Sequence, residues 1–288
     1  MGRFVADETV AARKRDVFPE LTDNVIERMS GAADPRLREV MTLLIRHIHG
    51  FVREAALSQE EWRHAIDFLT RTGQLCSDHR QEFILLSDIL GVSMLVDAIN
   101  CQAGPGITDS TVLGPFYTGP QRELDPGDTI LLRDEDSEPL MMAGRVTDAD
   151  GLPIANALIE VWQTATNQLY DVQDEDQPEG HLRASFRTNA RGNYRFRTVL
   201  PVSYSIPSDG PAGQLLGQMG RHPFRPAHVH FMISAPGYRT LVTHLFVAGD
   251  KYLESDAVFG VKPSLIVEPR PVDGVQTINY DFGLARSG

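Results

Sequence analysis

Two of the nine histidines, His228 and His230, are spaced so that both side chains could bind one metal ion. They lie in a run typical of a β-strand, in which residues i and i+2 point to the same face of the sheet. His47 and His49 have the same spacing but lie in a helical pattern, where such residues point about 200° apart. By itself this spacing is a weak signal for a metal site, since a pair of half-buried sheet histidines is a common alternative.

Several other catalytic patterns are missing from the sequence. The run GPAGQLLG, residues 210–217, lacks both the Lys-Ser/Thr pair and the preceding strand of a phosphate-binding loop. No Gly-x-Ser-x-Gly motif of a serine hydrolase is present. Asp148 and Asp150 have a ligand-like spacing, but DADG between two strands is typical of a hairpin turn. The sequence therefore argues against phosphoryl transfer and serine hydrolysis.

The composition narrows the range of partners. The chain has 288 residues and a formal net charge of −12, which repels nucleic acid and anionic lipid surfaces. We therefore expect neither a nucleic acid nor a membrane as partner. Cys76 and Cys101 are too few for a disulfide scaffold, and they fit a reducing compartment. Residues 1–16 lack the apolar stretch of a signal peptide, so we expect a cytoplasmic protein.

The secondary structure that must position these side chains can be predicted from the apolar pattern, and that pattern changes near residue 110. Before it, apolar residues recur at the three- and four-residue steps of amphipathic helices. Asp34, followed by proline, is typical of a helix start, and Ser58 with Glu61 has the pattern of a capping box. A further helix is predicted to begin at Asp78 and to continue to about Val96.

After residue 125, short strand-forming runs alternate with turns that contain glycine, such as DADG at 148–151, NARG at 189–192 and APG at 235–237. Strands at this spacing are typical of an antiparallel sandwich. We therefore predict an α+β protein, with an all-helical dimerisation domain over residues 1–110 and an antiparallel β-sandwich with the metal site over residues 111–288.

The segment PVSYSIPSDGPAGQLLGQMGRHPFRPAHVHF, residues 201–231, strongly resembles the intradiol ring-cleavage dioxygenases, the catechol 1,2-dioxygenase family. The shared pattern is a Tyr after a Pro, then Pro-x-x-Gly-Pro, then Arg-Pro-Ala-His, Val and His. EVWQTATNQLYD at 160–171, LGPFY at 113–117 and the helical N-terminal half also fit the family. The resemblance covers nearly the whole chain.

The resemblance implies one non-haem Fe(III) per subunit, bound by two tyrosines and two histidines, here Tyr170, Tyr204, His228 and His230. Phenolates are hard anionic ligands that suit a ferric ion. In the family mechanism the axial tyrosine, here Tyr204, leaves the metal and takes a proton from an ortho-diphenol, which O2 then attacks. Arg225 is implied to stabilise charge on the ring. Catechol dioxygenases usually have Gln where this chain has His244, whose role the resemblance leaves open.

Several pocket positions resemble enzymes that cleave hydroxyquinol (1,2,4-trihydroxybenzene) more than enzymes that cleave catechol. Asp88 lies inside an apolar helix, where a charge needs a partner such as a third ring hydroxyl. The alternative is that Asp88 faces water. The expected product is 3-hydroxy-cis,cis-muconate, the tautomer of maleylacetate, and the alternative substrates are catechol and chlorocatechol. The implied substrate pocket comprises Leu85, Asp88, Val112, Leu113, Gly114, Pro115, Phe116, Ile206, Pro207 and Val258.

The N-terminal apolar stripes predict a homodimer through helix-on-helix contact. The resemblance also implies a structural phospholipid at that dimer contact. A different class stays open, in which a sandwich-fold binding module holds a structural metal such as zinc without catalysis.

Overall fold

The computed structural model describes residues 17–77 and 80–287, so the first sixteen residues and Asp78 lie outside the described residues. The chain divides into two compact units after Thr70. Helices α1 (Leu21–Glu27) and α2 (Pro35–Glu54) belong to the first unit, and α3 (Gln59–Gln74) begins there. Among the described residues, no helix is both long enough and apolar enough to cross a membrane.

The two predicted helix starts of the first unit are present. The Asp34 side chain accepts hydrogen bonds from the backbone N–H groups of Arg36 (2.9 Å) and Leu37 (3.3 Å), directly before α2. Ser58 N–H donates to the Glu61 carboxylate at 2.8 Å, and Glu61 N–H donates to the Ser58 hydroxyl at 3.2 Å. Both pairs satisfy N–H groups that a helix start leaves without an internal partner. The capping residues in the sequence therefore predict these boundaries.

The helix predicted from Asp78 to about Val96 is wrong as a single element. The structure has α4 (Glu82–Ile89) and α5 (Val92–Asn100) instead. Gly91 separates them, and its φ of +72° is a left-handed conformation that glycine adopts without steric cost. The apolar spacing continues through this break, so periodicity alone does not reveal it. Asp88 consequently lies close to the end of one helix, with Ser93 at the start of the next.

The second unit also contains the strands and a short helix, α6 (Pro211–Gln218). In chain order the strands are β1 (Pro139–Asp148), β2 (Leu158–Trp162), β3 (Arg183–Arg187), β4 (Asn193–Val199), β5 (Tyr204–Ser205), β6 (Phe224–Arg225), β7 (His228–Ser234), β8 (Leu241–Val247), β9 (Ile266–Val267), β10 (Arg270–Val272), β11 (Val275–Asn279) and β12 (Phe282–Leu284).

The predicted α+β sandwich is confirmed. One sheet has the order β10-β11-β1-β12, with β4 also paired to β1, and the other has the order β3-β2-β7-β8-β9. Phe186 and Phe231 of the second sheet lie in one buried cluster with Phe196 and Phe282 of the first. Most pairs are antiparallel, but β1–β11, β1–β12 and β8–β9 are parallel. These partners are far apart in sequence, so no hairpin fixes their direction.

Three strand pairings position three of the four predicted metal ligands, Tyr204, His228 and His230. His228 and His230 lie on β7, where they share a face of the sheet. Across the β7–β8 pair, His230 is directly opposite His244, and across β2–β7 it is opposite Trp162. In the separate two-stranded ladder, Tyr204 on β5 is opposite Arg225 on β6. Since β6 ends three residues before His228, this ladder brings Tyr204 close to the histidines.

Candidate metal and substrate site

Four side chains that the sequence singles out come together inside the second unit. The Tyr170 hydroxyl lies 2.9 Å from His230 Nε2, and the Nε2 atoms of His228 and His230 are 3.1 Å apart. The Tyr204 ring meets the Tyr170 ring edge-on at 5.5 Å between centroids and lies 5.5 Å from the His228 ring. All four residues are buried.

Tyr170 is held by its local structure and by aromatic stacking. It precedes a short 3₁₀ turn (Asp171–Gln173), and its backbone N–H donates to the side-chain oxygen of Gln173 at 3.1 Å. The Phe116 ring stacks on it at 4.5 Å between centroids. The guanidinium of Arg183 lies 5.6 Å from the ring centroid and donates to Asp171 at 2.6 Å. The phenol therefore has one well-defined direction, toward His230.

The donor set fits a transition-metal ion. The Nδ1 atom of His228 is 2.7 Å from the Pro226 carbonyl oxygen, which can only accept, so the proton is assigned to Nδ1. This assignment leaves a lone pair on Nε2, directed at the same space as His230 Nε2 and the two phenols. Two imidazole nitrogens and two phenol oxygens that converge in a buried site are a set that Fe(III) accepts.

Burial lowers the pKa values of the two histidines. This is the direction that metal binding needs, because a metal ligand must be a neutral imidazole. Burial lowers the pKa of His228 to about 3, with a further lowering from the Arg225 charge. Burial also lowers the pKa of His230 well below its usual range. Both imidazoles are therefore neutral. Burial raises the pKa of the Tyr170 phenol well above its usual range, a shift that a bound cation would oppose.

Arg225 is buried beside the four residues. Its Nη1 lies 3.3 Å from His228 Nε2, and its Nη2 lies 3.3 Å from His244 Nδ1. Asp256 accepts from its Nε at 3.0 Å and from its Nη2 at 3.2 Å. Burial acts to raise the pKa of Asp256, but the Arg225 charge outweighs it and holds that pKa below the usual range. The ion pair holds the permanently charged guanidinium of Arg225 at the edge of the cluster.

Asp256 is a site residue that no motif in the sequence indicates. Its carboxylate also accepts from the backbone N–H groups of Val258 (3.3 Å) and Gly260 (2.9 Å), so it fixes the loop that carries the predicted pocket residue Val258. An aspartate two positions before Val258 was the only available signal.

His244 completes a cluster of three histidines that could hold a metal ion. Its ring lies 4.0 Å from the His230 ring and 4.8 Å from the His228 ring, measured between centroids. One ligand atom from each of the three lies within 4.8 Å of the others. His244 Nε2 is buried without a hydrogen-bond partner in the described part of the chain, and so is His230 Nδ1. The structure therefore brings His244 to the site although no motif assigned it a role.

Part of the predicted pocket packs against the two tyrosines, and part lines a cavity. Leu85, Val112, Phe116, Ile206 and Val258 are buried in one apolar cluster with Tyr170 and Tyr204. Asp88, Val112, Leu113 and Gly114 contribute to the lining of a cavity of about 490 Å³. Pro115 and Pro207 are half-buried at the ends of these segments.

Asp88 does not face water, since only 2% of the residue is exposed. Burial raises the pKa of its carboxyl group, and a hydrogen bond from Ser93 opposes that shift. Ser93 in turn shares a 2.8 Å hydrogen bond with Ser87. The aspartate therefore presents a buried carboxyl group to a cavity that apolar, serine and threonine side chains also line.

Known protein families match both parts of the chain. Residues 112–287 match the family described as Dioxygenase, and residues 34–106 match the one described as Catechol dioxygenase N terminus. The 6-chlorohydroxyquinol 1,2-dioxygenase of Cupriavidus pinatubonensis is 48% identical over 92% of this chain and 96% of its own length. The hydroxyquinol 1,2-dioxygenase of a Rhizobium species is 48% identical, over 92% of this chain and 94% of its own length.

Solved structures agree with the sequence matches. The crystal structure of hydroxyquinol 1,2-dioxygenase from Pseudomonas putida superposes with a TM-score of 0.86 and 43% identity, covering 97% of this chain and all of that one. A chlorocatechol 1,2-dioxygenase from Pseudomonas putida gives a TM-score of 0.79 at 31% identity, covering 88% of this chain and 100% of that one. The fold and site define a ring-cleaving dioxygenase. The chain belongs to the intradiol dioxygenase family.

Proposed function

We propose that the protein cleaves hydroxyquinol with O2 between its two adjacent hydroxyl-bearing carbons and forms 3-hydroxy-cis,cis-muconate, the tautomer of maleylacetate. The observation that carries this proposal is the convergence of Tyr170, Tyr204, His228 and His230 beside a pocket that buries Asp88. The hydroxyquinol dioxygenases among the relatives support the choice of substrate.

One ferric ion per subunit would be held by the phenol oxygens of Tyr170 and Tyr204 and the Nε2 atoms of His228 and His230. When bound, Fe(III) supplies the Lewis acidity and the redox chemistry that let a chelated diol react with O2. The protein supplies neutral imidazoles, two phenols that ionise beside a cation, and a site from which water is largely excluded.

Tyr204 and Arg225 act together on the substrate. We assign Tyr204 Oη as the group that takes a proton from one of the two adjacent ring hydroxyls. Arg225 lies opposite Tyr204 in the β5–β6 pair and is fully paired with Asp256, so its charge is fixed in place before the substrate arrives. A preorganised cation of this kind stabilises negative charge that develops on the ring.

The Asp88 carboxyl group is assigned to the third hydroxyl of hydroxyquinol. A hydrogen bond between a ring hydroxyl and the buried carboxyl group replaces the hydrogen bonds to water that both groups lose. The apolar side chains of Leu85, Ile206 and Val258 hold the ring itself, with Val112 and Phe116, because they form one buried cluster with the two tyrosines. Catechol lacks the third hydroxyl and gains nothing from Asp88.

We also propose that residues 1–110 form the dimerisation domain and residues 111–288 the catalytic domain. Large apolar side chains of α2 and α3 are exposed, among them Leu37, Leu44, Phe51 and Trp62, which is typical of a protein-protein contact. A structural phospholipid is proposed at this contact, where a cavity of about 640 Å³ is lined by Phe18, Ile48 and Val52. The free Cys76 and Cys101 support a cytoplasmic location.

The experiment that tests the activity is O2 uptake by iron-loaded protein with hydroxyquinol and with catechol, after subtraction of enzyme-free autoxidation. Fast uptake with hydroxyquinol and little with catechol is the expected result, with maleylacetate identified as product. The reverse preference would reassign the substrate to catechol or chlorocatechol. Uptake with neither would favour a non-catalytic metal-binding module.

A further inference from the structure

Glu82, at the start of α4, is a fully buried carboxylate that contacts another helix. Its Oε2 accepts hydrogen bonds from Nε (3.1 Å) and Nη2 (3.0 Å) of Arg80, and its Oε1 accepts from the backbone N–H of Ala212 at 3.0 Å. Ala212 lies in the first turn of α6, where the N–H groups carry a partial positive charge. Glu82 is 0% exposed. The carboxylate therefore connects α4 to the start of α6.

Arg80 extends this connection to the loop that precedes α6. Its Nη1 donates to Asp209 Oδ2 at 2.8 Å, and its Nη2 donates to Asp209 Oδ1 at 2.9 Å. The two parallel hydrogen bonds form the two-pronged geometry that makes arginine-carboxylate pairs directional. One guanidinium therefore contacts both the first residue of α4 and the loop 206–210.

The loop backbone lies directly against this cluster at Gly210. A Cβ atom on Gly210 would lie 2.3 Å from Glu82 Oε1 and 2.7 Å from both Arg80 Nη2 and Leu75 Cδ2. Distances this short exclude a side chain unless the surrounding atoms move. The loop can approach α4 no further, and it can move away only by breaking the bonds to Arg80 and Glu82.

The two segments joined in this way both carry residues of the proposed pocket, and Leu85 and Ile206 lie in one buried cluster. Leu85 and Asp88 follow Glu82 on α4, and Ile206 and Pro207 precede Asp209 in the loop. We propose that Arg80, Glu82 and Asp209 form a clamp that sets the spacing between these two segments and thereby the affinity for a ring with a third hydroxyl. They are positioning residues, and this inference rests on the proposed function for its substrate.

Asp209→Asn tests the clamp without disturbing the core, because the Asp209 side chain is 69% exposed. We expect KM for hydroxyquinol to rise about fivefold, the upper end of the effect of an exposed ion pair, with less than about a twofold change in kcat. The preference for hydroxyquinol over catechol should fall, because the third-hydroxyl contact depends most on the position of α4, which carries Asp88, relative to the loop. The matched control is Glu123→Gln, which breaks the exposed Arg187–Glu123 pair (3.0 Å) and should leave both values unchanged.

The dependence of KM on ionic strength distinguishes the clamp from a general loss of structure. Added salt screens exposed charges, so KM of the wild-type protein should rise with salt. KM of Asp209→Asn should not, because the charge pair is already absent. Glu123→Gln should keep the salt response of the wild-type protein. Equal salt responses in wild-type protein and Asp209→Asn would contradict the clamp.

Hydrogen exchange tests the clamp independently of any activity. In Asp209→Asn and Arg80→Met, the peptide covering residues 204–214 should exchange about fivefold faster than in wild-type protein and in Glu123→Gln. Unchanged exchange in both variants overturns the proposal even if the enzyme is active. Faster exchange in a protein that consumes neither hydroxyquinol nor catechol would support the clamp and reject the proposed substrate instead.

Discussion

Arg225 and Asp256 form a buried ion pair, with 3.0 Å between Nε of the arginine and Oδ1 of the aspartate. Their side chains are 3% and 2% exposed. The same aspartate accepts the Gly260 N–H at 2.9 Å, so one carboxylate holds both the guanidinium and the adjoining loop. Each charge compensates the other where water cannot, and the guanidinium keeps its position beside His228.

Asp256→Asn should therefore be destabilising as well as inactivating. Removal of one partner leaves the Arg225 charge buried without compensation, which costs about 3 kcal/mol in the free energy of unfolding. Denaturant titration measures this change, and O2 uptake measures the fall in kcat. Glu268→Gln, which breaks the exposed Arg270–Glu268 pair, should change the free energy by less than about 1 kcal/mol. Equal effects of the two substitutions would argue against a special role for Asp256.

Tyr170→Phe and Tyr204→Phe should alter the visible absorption of the iron-loaded protein, because each removes a phenolate donor. For Tyr204→Phe we also expect kcat to fall at least about a hundredfold, the usual effect of losing a group that transfers a proton. Tyr194→Phe is the control, since this buried tyrosine donates instead to the Tyr280 carbonyl at 2.8 Å. A spectrum that all three variants share with the wild-type protein would exclude tyrosinate ligation.

Asp88→Ala should change substrate preference more than turnover. The third hydroxyl loses its partner, so kcat/KM for hydroxyquinol should fall about tenfold, equivalent to about 1.4 kcal/mol. Catechol serves as the internal control, because its kcat/KM should stay within about twofold in the same variant. Parallel losses with both substrates would mean that Asp88 only supports the fold.

Protonation of Glu135 should lower the free energy of unfolding at acidic pH. Burial acts to raise the pKa of Glu135, but hydrogen bonds from Thr166, Arg133 and His181 outweigh it and hold the pKa at about 2. Since this folded value lies below the unfolded value of about 4.3, the stabilisation is complete above that pH and is lost as the pH falls toward 2. Unfolding free energies between pH 5 and 2.5 should decline less steeply in Glu135→Gln. Identical slopes would contradict this assignment.

Removal of the metal should lower thermal stability. A ligand that binds only the folded chain stabilises it, and the four proposed ligands come from three separate segments, around Tyr170, around Tyr204 and on β7. We expect a lower Tm by calorimetry after chelation, and recovery after Fe(III) is added back. A Tm that is independent of metal, in protein shown to contain iron, would place the ion elsewhere.

The local patterns in the sequence predict some of these features well. The alternation in β7 places His228 and His230 on one face, because a strand has a side-chain period of two. The caps at Asp34 and Ser58 follow from short-range hydrogen bonding. The prediction that Tyr170 and Tyr204 are metal ligands rests on the family resemblance alone, since no spacing relates them to the histidines.

Other features depend on contacts between distant residues and have no local signal. Glycine is tolerated in a helical pattern, so Gly91 does not by itself indicate the break between α4 and α5. The parallel pairing of β11 and β12 with β1 is decided by tertiary packing. Asp256 acquires its importance only because the fold brings Arg225 next to it.

The position of His230 between Trp162 on β2 and His244 on β8 has a consequence for the order of events during folding. A shift of β7 by one residue against either neighbour would turn both histidines to the opposite face of the sheet. A chain in which β7 is paired in a shifted register would therefore lack the proposed metal site. Binding of Fe(III) at the proposed site would then follow the correct pairing of β7, and the visible absorption of the bound ion would report that step during refolding.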